Sequence, residues 1–388
     1  MGAEPCAVVG VGQTHHKSRR RDVSMGGLVR EAVFRALEDA QMTMADIDAV
    51  VLGKAPDLFE GVMKPELYLS DALGAVGKPM FRVHTAGSVG GSTAVVGVSH
   101  VQARRFRRVL AVAFEKQSEG NAQFALGSGK GASLGAGGSF APFIRSYIHR
   151  SGAPEHIGWM VAVKDRKNAL KNPYAHLQIH DISIEKVKAS PMLWDPLRYL
   201  ESCPSSDGAC AIVLTDEAGG NEAAAAGRRP AWVLGTASRS EPGSFPGRDP
   251  VRPAAAWDCA QHVYAQAGIT NPREQIDMAE LYVPFSWHEA IWLEGHGIAE
   301  PGEGWRMIDN GDTEIEGSFP VNCSGGVLSS NPIGASGMLR FAEAALQVRG
   351  YAGAHQVDGA NVALAQAYGA NSQYFSMWIV ASTQQPFG

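Results

Sequence analysis

The stretch from residue 317 to residue 349 constrains the fold most, because it joins a glycine- and serine-rich turn directly to an amphipathic helix. After the turn, Met338, Phe341, Ala345 and Leu346 recur at the spacing of an α-helix. The first backbone amides of a helix have no partner within it, so they favour an anionic or polarised oxygen in front of them. The sequence therefore predicts a site for such an oxygen where this turn meets the helix.

The rest of the chain alternates between short apolar runs, typical of buried strands, and segments with helical periodicity. Predicted strands cover 6–11, 49–52, 109–114, 209–214, 232–236, 278–282, 362–366 and 376–381, and predicted helices include 25–37, 93–102 and 254–267. The second series repeats the order of the first, which predicts a duplicated α/β architecture with mostly parallel strands covered by helices. We place the two halves at 1–225 and 230–388, with the run 222–229 as an exposed connection. The weakly periodic region of about 115–205 is typical of a substrate-facing insertion within the first half.

Composition argues against several classes of function. A formal charge of -5 with 19% charged residues gives no electrostatic reason to expect nucleic acid as a partner. The arginine clusters at 19–21 and 104–108 are typical of solvated faces, with a coenzyme phosphate as the alternative ligand. The five cysteines lack metal-type spacing, and we find neither an apolar leader nor an apolar run of about 18 residues. We therefore expect a cytoplasmic protein without a bound metal or membrane insertion.

Five segments resemble motifs of the thiolase superfamily, in particular its sterol-carrier-type branch. They are 88–94 (S-V-G-G-S-T-A against C-A-T-G-S-T-A), 203–209 (C-P-S-S-D-G-A against C-P-x-S-D-G-A), 280–285 (E-L-Y-V-P-F against E-V-H-D-C-F), 330–337 (S-N-P-I-G-A-S-G against G-H-P-x-G-A-T-G) and 368–373 (Y-G-A-N-S-Q against C-x-G-G-G-Q). The resemblance covers essentially the whole chain. It implies a duplicated thiolase-like α/β fold of two βαβαβαββ halves with an inserted loop region.

The residues at the family's reacting positions are changed. The resemblance places Ser88 at the acyl-accepting cysteine, Asn331 at the catalytic histidine, Tyr282 at a second histidine and Tyr368 at the second cysteine. Thiolysis needs a thiolate, a histidine that activates it and a cysteine that moves a proton at the α-carbon, and these side chains supply none of them. The amides near Ser88 and the side chain of Asn331 still provide the donors of an oxyanion hole. The candidate contacts to a coenzyme thioester are Gly90, Gly91, Ser330 and Gly334.

An oxyanion hole can also stabilise the enolate formed when a carbon–carbon bond next to a β-hydroxyl breaks, which is a retro-aldol cleavage. The chain resembles bacterial steroid side-chain aldolases, in which the tyrosine of an E-x-Y-x-P-F strand is the acid/base, and Tyr282 matches that tyrosine. Some of those relatives carry a second tyrosine where this chain has Asn331. His288 and His84 are the candidate helpers of Tyr282. The resemblance implies cleavage of a β-hydroxyacyl-CoA steroid side chain to a shorter aldehyde or ketone plus acetyl-CoA or propionyl-CoA.

Two alternatives stay open. One is a β-ketoacyl-CoA thiolase with displaced catalytic groups, using Cys323, which we expect to be the cysteine near the site, whereas Cys203 is expected to be structural. The other is a non-catalytic subunit that binds acyl-CoA or acts as a scaffold. Coenzyme A would enter as part of the steroid acyl-CoA substrate, with no tightly bound cofactor. The resemblance also implies a homodimer core and a small OB-fold partner protein with a zinc ribbon.

Overall fold

The computed structural model describes residues 2–55, 62, 64–120, 135–243 and 247–387. The strands are β1 (Cys6–Gln13), β2 (Ala49–Lys54), β3 (Met80–Val83), β4 (Arg108–Lys116), β5 (Met192–Trp194), β6 (Leu197–Arg198), β7 (Asp207–Asp216), β8 (Ala231–Ser240), β9 (Met278–Glu280), β10 (Val362–Gly369) and β11 (Tyr374–Ala381). The helices are α1 (Met25–Ala40), α2 (Pro65–Leu69), α3 (Val89–Gln102), α4 (Gly135–Ser151), α5 (His156–Ala169), α6 (Ile184–Ala189), α7 (Glu217–Ala225), α8 (Ala254–Ala267), α9 (Pro272–Gln275), α10 (His288–Gly295), α11 (Gly304–Asp309), α12 (Gly326–Ser329) and α13 (Ile333–Arg349). Short 3-10 turns cover Met44–Asp46, Gln117–Glu119, Tyr199–Glu201 and Gly353–His355.

The sheet repeats one pattern of strand pairing in two halves. Its order is β3-β2-β4-β7-β1-β8-β11-β10-β9. In the first half β1 is antiparallel to β7, β7 is antiparallel to β4, and β4 is parallel to β2. In the second half β8 is antiparallel to β11, β11 is antiparallel to β10, and β10 is parallel to β9. Because β1 and β8 pair antiparallel at the centre, the two halves form one continuous sheet, and the prediction of a duplicated α/β fold is confirmed.

The expectation of mostly parallel strands is wrong. The pairings β4/β7, β7/β1, β1/β8, β8/β11 and β11/β10 are antiparallel, and the parallel pairings lie toward the two edges. Strands β7, β10 and β11 are buried along nearly their whole length. A strand buried on both faces reads as a continuous apolar run, which is the usual signature of a parallel strand. The apolar runs therefore indicate that these strands are buried, but they do not indicate whether neighbouring strands are parallel or antiparallel.

Helices α3 and α13 cross between the two halves and contact strands of both. The crossing is close because glycines meet there. A β-carbon on Gly90 would lie 2.7 Å from the carbonyl oxygen of Gly334, and one on Gly337 would lie 2.7 Å from the amide nitrogen of Gly91. Helices α1 and α7 cover strands of the first half, and α8 covers β8 and β11. The crossing brings the starts of α3 and α13, and so the two turns before them, to one region of the molecule.

The inserted region is largely helical where the structure describes it. Residues 121–134 of the predicted insertion lie outside the described residues. Beyond them the chain forms α4, α5, α6 and the β5–β6 hairpin, so regular elements form here although the sequence is only weakly periodic. Helix α5 buries Lys164, whose Nζ donates to Glu289 at 2.7 Å and to the Val321 carbonyl at 2.8 Å. Buried charges on the inward face of the helix interrupt the apolar periodicity from which helices are predicted.

The predicted exposed connection at 222–229 is helical at its start, because α7 extends to Ala225. Helix α7 begins at the N-cap Asp216, whose side chain accepts a hydrogen bond from the amide of Gly219 at 2.9 Å. The helices of the described residues are all too short or too polar to cross a membrane.

Candidate active site

A cavity of about 430 Å³ lies beside the starts of α3 and α13. Its polar lining residues include Tyr282, Asn331, Tyr368 and Cys203, and further polar residues of the lining are Gln117, Ser139, Ser205 and Asn371. The apolar part of its wall includes Phe140, Phe285 and Ile333, and the backbone near Gly87 and Gly369 closes another side. Three of the side chains that the motifs single out, Tyr282, Asn331 and Tyr368, therefore meet in one mostly apolar cavity, although they are far apart in sequence.

The backbone that carries Tyr282 is held at several points. The predicted strand 278–282 ends two residues early, at the end of β9, so Tyr282 lies in the following loop. The amide of Leu281 donates to Asn322 Oδ1 at 2.8 Å, and the amide of Tyr282 donates to Gln366 Oε1 at 2.8 Å. The indole of Trp292 donates to the Tyr282 carbonyl at 2.9 Å. These bonds fix the ring at the cavity wall and leave its hydroxyl as the group that faces Asn331.

The carboxamide of Asn331 has a defined orientation. Ser336 Oγ donates to Asn331 Oδ1 at 2.8 Å, and the Tyr282 hydroxyl lies 3.4 Å from the same oxygen. The Nδ2 of Asn331 consequently points the other way and donates to Cys203 Sγ at 3.2 Å. An amide nitrogen carries two hydrogens, so one N–H of Asn331 is available to an oxygen placed beside Cys203.

Burial keeps the Tyr282 phenol protonated. The pKa of Tyr282 is raised above its usual 10, chiefly by burial and further by the nearby Cys203, against a hydrogen bond with Ser336 that lowers it. The proposed helper His288 is also buried, and burial lowers its pKa to about 3. Its Nδ1–H donates to the Phe285 carbonyl at 3.2 Å, and its ring packs on Tyr368 at 5.7 Å between centroids. His288 is therefore a neutral ring behind Tyr368, and no contact places it at the hydroxyl of Tyr282 within the described residues.

The second tyrosine of the cavity lining is Tyr368. The residue is 3% exposed, and its ring packs edge-on against Tyr282 at 5.3 Å and against Trp292 at 4.8 Å between centroids. Within the described part of the chain, the Tyr368 hydroxyl is buried and makes no hydrogen bond. Leaving such a group unpaired costs about 1–3 kcal/mol. Burial raises the pKa of Tyr368 well above 10, and Tyr282 and Cys203 raise it further, so this phenol is also neutral.

The segment after Tyr368 adopts a strained backbone. Ala370, Asn371 and Ser372 have φ values of 53°, 54° and 61°, the left-handed region that glycine tolerates best. In the resembling motif these three positions are glycines. Arg248 holds the segment by donating to the carbonyls of Asn371 at 3.2 Å and Ser372 at 2.7 Å. The cavity wall beside Tyr368 is thus a fixed turn.

Ser88 is turned away from the cavity. Its Oγ donates to the Thr85 carbonyl at 2.5 Å, and the amides of Ser88 and Val89 donate to the carbonyls of Thr85 at 3.3 Å and Ala86 at 3.2 Å. Ser88 is fully buried, and the cavity lining in this part of the chain comes from Ala86 and Gly87. The hydroxyl of Ser88 and two of the amides expected to form an oxyanion hole are therefore already occupied by the preceding turn.

The structure places the other predicted site residues elsewhere. Gly90, Gly91 and Gly334 pack in the crossing of α3 and α13, and Ser330 Oγ accepts the amide of His176 at 2.9 Å. His84 is exposed at the end of β3. These five residues do not belong to the lining of the cavity among the described residues.

Four arginines of the two arginine clusters form ion pairs. Arg104, Arg107 and Arg108 follow the C-terminal end of α3 and pair with Glu4, Asp216 and Glu222. Helix α3 is about 21 Å long at 1.5 Å per residue, and its other end faces the cavity. Arg20 pairs with Asp22 and Glu31. The coenzyme-phosphate alternative for these clusters gains no support from the geometry.

The cysteine at the cavity is not the one that the sequence favoured. Cys323 is fully buried, and its pKa is raised by burial and by Glu280. Cys203 is partly exposed and lines the cavity, with its pKa raised to about 11 by burial. The amide of Cys203 donates to the Pro284 carbonyl at 2.9 Å, which docks the C-P motif against the Tyr282 loop. Cys323 does not belong to the cavity lining among the described residues, so the expectation that it lies near the site is wrong. Cys323 is close to the Gly-Gly turn in sequence, but this closeness does not bring it to the cavity.

The fold and the cavity place this chain among duplicated α/β proteins that have a cavity at the start of their two central helices. Within the described residues no cluster of side chains could hold a metal ion. Residues 240–382 match the family described as thiolase C-terminal domain-like. An acetyl-CoA acetyltransferase of Methanothermobacter thermautotrophicus is 32% identical over 94% of this chain and 96% of its own length. The chain therefore belongs to the thiolase superfamily.

Two further relatives lie nearer to lyase chemistry. The 17-hydroxy-3-oxo-4-pregnene-20-carboxyl-CoA lyase of Mycobacterium tuberculosis is 30% identical over 89% of this chain and 91% of its own length. The structure of the Ltp2-ChsH2(DUF35) aldolase superimposes with a TM-score of 0.83 at 26% identity, covering 98% of both chains. The proteins to which this chain is similar thus include an acetyltransferase, a lyase and an aldolase.

Proposed function

We propose that this protein cleaves a β-hydroxyacyl-CoA steroid side chain by a retro-aldol reaction, releasing a shorter aldehyde or ketone and acetyl-CoA or propionyl-CoA. The observation that carries the proposal is the pair Tyr282 and Asn331, whose side chains meet at 3.4 Å in a mostly apolar cavity. The reaction needs one group that exchanges a proton with the β-oxygen and one that donates a hydrogen bond to the thioester oxygen. A phenol can do the first when it passes its own proton on as the β-hydroxyl proton arrives, and a carboxamide can do only the second.

The same cavity disfavours thiolysis through the family's usual position. Within the described residues no base is hydrogen-bonded to Ser88, which donates its hydroxyl to the Thr85 carbonyl. A serine without a base is a weak nucleophile. In the proposed pose the β-oxygen lies at the Tyr282 hydroxyl, and the thioester oxygen lies at the second N–H of Asn331. Charge that develops on the thioester oxygen during cleavage would then meet a fixed donor.

The substrate class rests on the cavity and on the relatives. Phe140, Phe285 and Ile333 offer apolar surface to a bulky, weakly polar group. The Mycobacterium tuberculosis lyase is named for a pregnene carboxyl-CoA, and the superimposed structure is named an aldolase. Coenzyme A is part of this substrate and not a resident cofactor.

The test is direct. The purified full chain is incubated with a 22-hydroxylated steroid-CoA, and separately with its 22-keto analogue plus free coenzyme A. Release of an aldehyde or ketone from the hydroxy compound supports the lyase. Binding of either thioester without turnover contradicts it and supports a non-catalytic acyl-CoA-binding or scaffold subunit.

A second candidate is acyl transfer at Cys203. This thiol lines the cavity and receives a hydrogen bond from Asn331 Nδ2 at 3.2 Å, which is the position of a nucleophile beside an oxyanion donor. Its pKa of about 11 leaves little thiolate at neutral pH, which favours the lyase. Cleavage of the keto analogue that depends on coenzyme A, with an acyl group on Cys203, would support acyl transfer.

The proposed assembly is a cytoplasmic homodimer with a small OB-fold, zinc-ribbon partner. The support for a partner is the DUF35 component named in the superimposed aldolase structure. Gel filtration of the chain expressed alone, and with its candidate partner, tests both parts. An active monomer without any partner would contradict the assembly.

A further inference from the structure

Arg166 on helix α5 is a buried cation, and most of its hydrogen-bonding groups are unused within the described residues. The residue is 1% exposed. Its Nη2 donates to the Ser202 carbonyl at 3.1 Å, whereas Nε and Nη1 make no hydrogen bond in the part of the chain that the structure describes. Asp165, the carboxylate next to it in sequence, pairs with Lys164 at 3.2 Å. Because proteins rarely bury a charge without a partner, this guanidinium calls for negative charge nearby.

The guanidinium of Arg166 lies behind the wall of the cavity, on the side of Cys203. The carbonyl that it binds belongs to Ser202, the residue before Cys203, and Ser202 pairs with Phe285 of the cavity lining. Cys203 lines the cavity, and its sulfur accepts a hydrogen bond from Asn331 Nδ2 at 3.2 Å. Burial raises the pKa of the Cys203 thiol, whereas the hydrogen bond from Asn331 and the charge of Arg166 lower it. The charge of Arg166 therefore reaches the cavity across Cys203.

Arg166 keeps its charge at neutral pH. Burial lowers the pKa of its guanidinium to about 10, against Asp165, Cys203 and Tyr199, which raise it. Charges attract one another more strongly in a buried site than in water. In the proposed function the thioester oxygen lies at the second N–H of Asn331 beside Cys203, and this oxygen gains negative charge as the carbon–carbon bond breaks. A fixed positive charge thus lies on the side of the cavity where negative charge forms.

We propose that Arg166 is a positioning residue whose buried positive charge, acting across Cys203, stabilises the thioester oxygen as the acyl-CoA enolate forms. This inference rests on the proposed function for its substrate. Asn331 supplies the direct hydrogen bond. Arg166 supplies an attraction that is weak while the thioester is neutral and stronger once its oxygen carries charge. An interaction that grows toward the transition state raises kcat without tightening substrate binding.

The charge beside Cys203 can be measured without a steroid substrate. Cys203 is alkylated in the full chain, together with its partner where one copurifies, with neutral iodoacetamide and separately with anionic iodoacetate. Mass spectrometry of the peptide that contains Cys203 gives each rate. The two reagents are nearly the same size and both react with the thiolate, so the ratio of their rates reports the charge beside the sulfur and not its exposure.

Arg166→Met removes the charge and keeps a long side chain. We expect it to lower the ratio of the iodoacetate rate to the iodoacetamide rate by about 5-fold or more, and Arg166→Lys, which keeps a positive charge, to restore most of the ratio. On the 22-hydroxylated steroid-CoA, kcat of Arg166→Met should fall about 10-fold with KM nearly unchanged, because the lost attraction acts on the charged oxygen and not on the neutral thioester.

The matched control is Arg349→Met. Arg349, at the C-terminal end of α13, is as deeply buried, but it donates to Asp39 at 2.7 Å and to the Arg229 carbonyl at 2.7 Å. Arg349→Met breaks this ion pair, so it should lower the thermal midpoint and leave the ratio of the alkylation rates at the wild-type value. Arg166→Met removes a charge whose Nε and Nη1 are unpaired within the described residues, so its midpoint should stay near that of wild type or above it.

The outcomes distinguish this inference from the proposed function. A lowered ratio in Arg166→Met that Arg166→Lys restores supports a positive charge at this side of the cavity even if wild type cleaves no β-hydroxyacyl-CoA, and in that case only the proposed function fails. An unchanged ratio in Arg166→Met overturns the inference even if wild type does cleave that substrate. A lowered ratio with kcat at the wild-type value overturns it as well, because the charge then reaches the thiol without acting on the reaction.

Discussion

Asn331 donates a hydrogen bond to the sulfur of Cys203 at 3.2 Å, while its side-chain oxygen accepts one from Ser336 at 2.8 Å. The two contacts fix which end of the carboxamide faces which side of the cavity. The oxygen end lies toward the Tyr282 hydroxyl, and the nitrogen end lies toward Cys203. A histidine at this position could take up a proton, whereas the carboxamide forms hydrogen bonds without changing its protonation state. The orientation of Asn331 is therefore the feature from which the roles of the neighbouring side chains follow.

Asn331→Ala should lower kcat without changing the pH dependence of the reaction. Removal of one oxyanion donor costs about 2.7–4 kcal/mol of transition-state stabilisation in well-studied enzymes, which corresponds to about 10²- to 10³-fold in kcat. Because the side chain has no pKa in the working range, the profile of kcat against pH should keep its shape. Steady-state kinetics on the hydroxy thioester between pH 6 and pH 9 check this. A shifted profile would show that Asn331 acts through a titrating neighbour.

Cys203→Ala and Cys203→Ser separate the two candidate reactions. For a lyase, Cys203 only positions the Asn331 amide, so Cys203→Ser, which keeps an acceptor, should retain most of kcat, and Cys203→Ala should lose a moderate part of it. For acyl transfer, both variants should abolish turnover, because neither keeps the thiol. The measurement is kcat for both variants on both thioesters. Loss of activity in Cys203→Ser at unchanged stability would argue against the lyase.

Tyr282→Phe removes only the hydroxyl that faces Asn331. We expect kcat to fall by about 10²- to 10⁴-fold, the usual range for general acid–base catalysis, with the affinity for the thioester nearly unchanged. The fall should be present at all accessible pH values, because burial keeps the phenol protonated. Product analysis at timed intervals measures kcat, and a separate binding titration measures the affinity for the thioester. Cleavage at the wild-type rate would transfer the role to Tyr368.

The fold was predictable from the sequence to the level of its elements, but not to the level of strand direction. The apolar runs located β1, β2, β4, β7, β8, β10 and β11, because a buried strand needs apolar side chains whatever its neighbours are. Direction depends on the connections and on which faces are covered. Here helices cover both faces of antiparallel strands, so the local pattern resembles that of a parallel sheet.

Site residues that belong to a sequence motif could be predicted. Site residues that depend on contacts between segments distant in sequence could not. Tyr282, Asn331 and Tyr368 were singled out by position in motifs, and the structure brings them into one cavity. Cys203 was missed because its nearness to Tyr282 depends on pairing between 202 and 285, a contact that no local pattern records. Helix α5 was missed because Lys164 and Asp165 are buried charges, and Lys164 pairs both with Asp165 and with Glu289 of α10.

Ser88→Ala should retain cleavage activity close to that of wild type. The hydroxyl of Ser88 donates to the Thr85 carbonyl and lies outside the described cavity lining, so the substrate loses no contact. The variant loses one hydrogen bond within the protein, which is worth about 1 kcal/mol of folding stability. Kinetics and a urea titration on the same preparation test both parts. A covalent acyl group found on Ser88 of the wild type would contradict this assignment.

His296→Phe should make the protein less sensitive to acid. His296 is fully buried, neither ring nitrogen has a hydrogen-bond partner among the described residues, and its ring stacks on Trp292 at 6.0 Å between centroids. Burial lowers the pKa of His296 from 6.5 to about 3, so below pH 6.5 the unfolded chain binds a proton that the folded chain refuses. The free energy of unfolding therefore falls as the pH drops, and between pH 7 and pH 5 this one group accounts for about 2 kcal/mol. Phenylalanine keeps a flat ring against Trp292 and does not titrate, so the variant should lose about 2 kcal/mol less than wild type over that interval.

Glu201, whose pKa is raised to about 7 by burial, changes the free energy of unfolding in the opposite direction over this interval. Because Glu201 is present in both proteins, its contribution cancels in the comparison. Urea titrations of both proteins at pH 7 and pH 5 give the four free energies, and equal losses in the two proteins would show that His296 is protonated in the folded state.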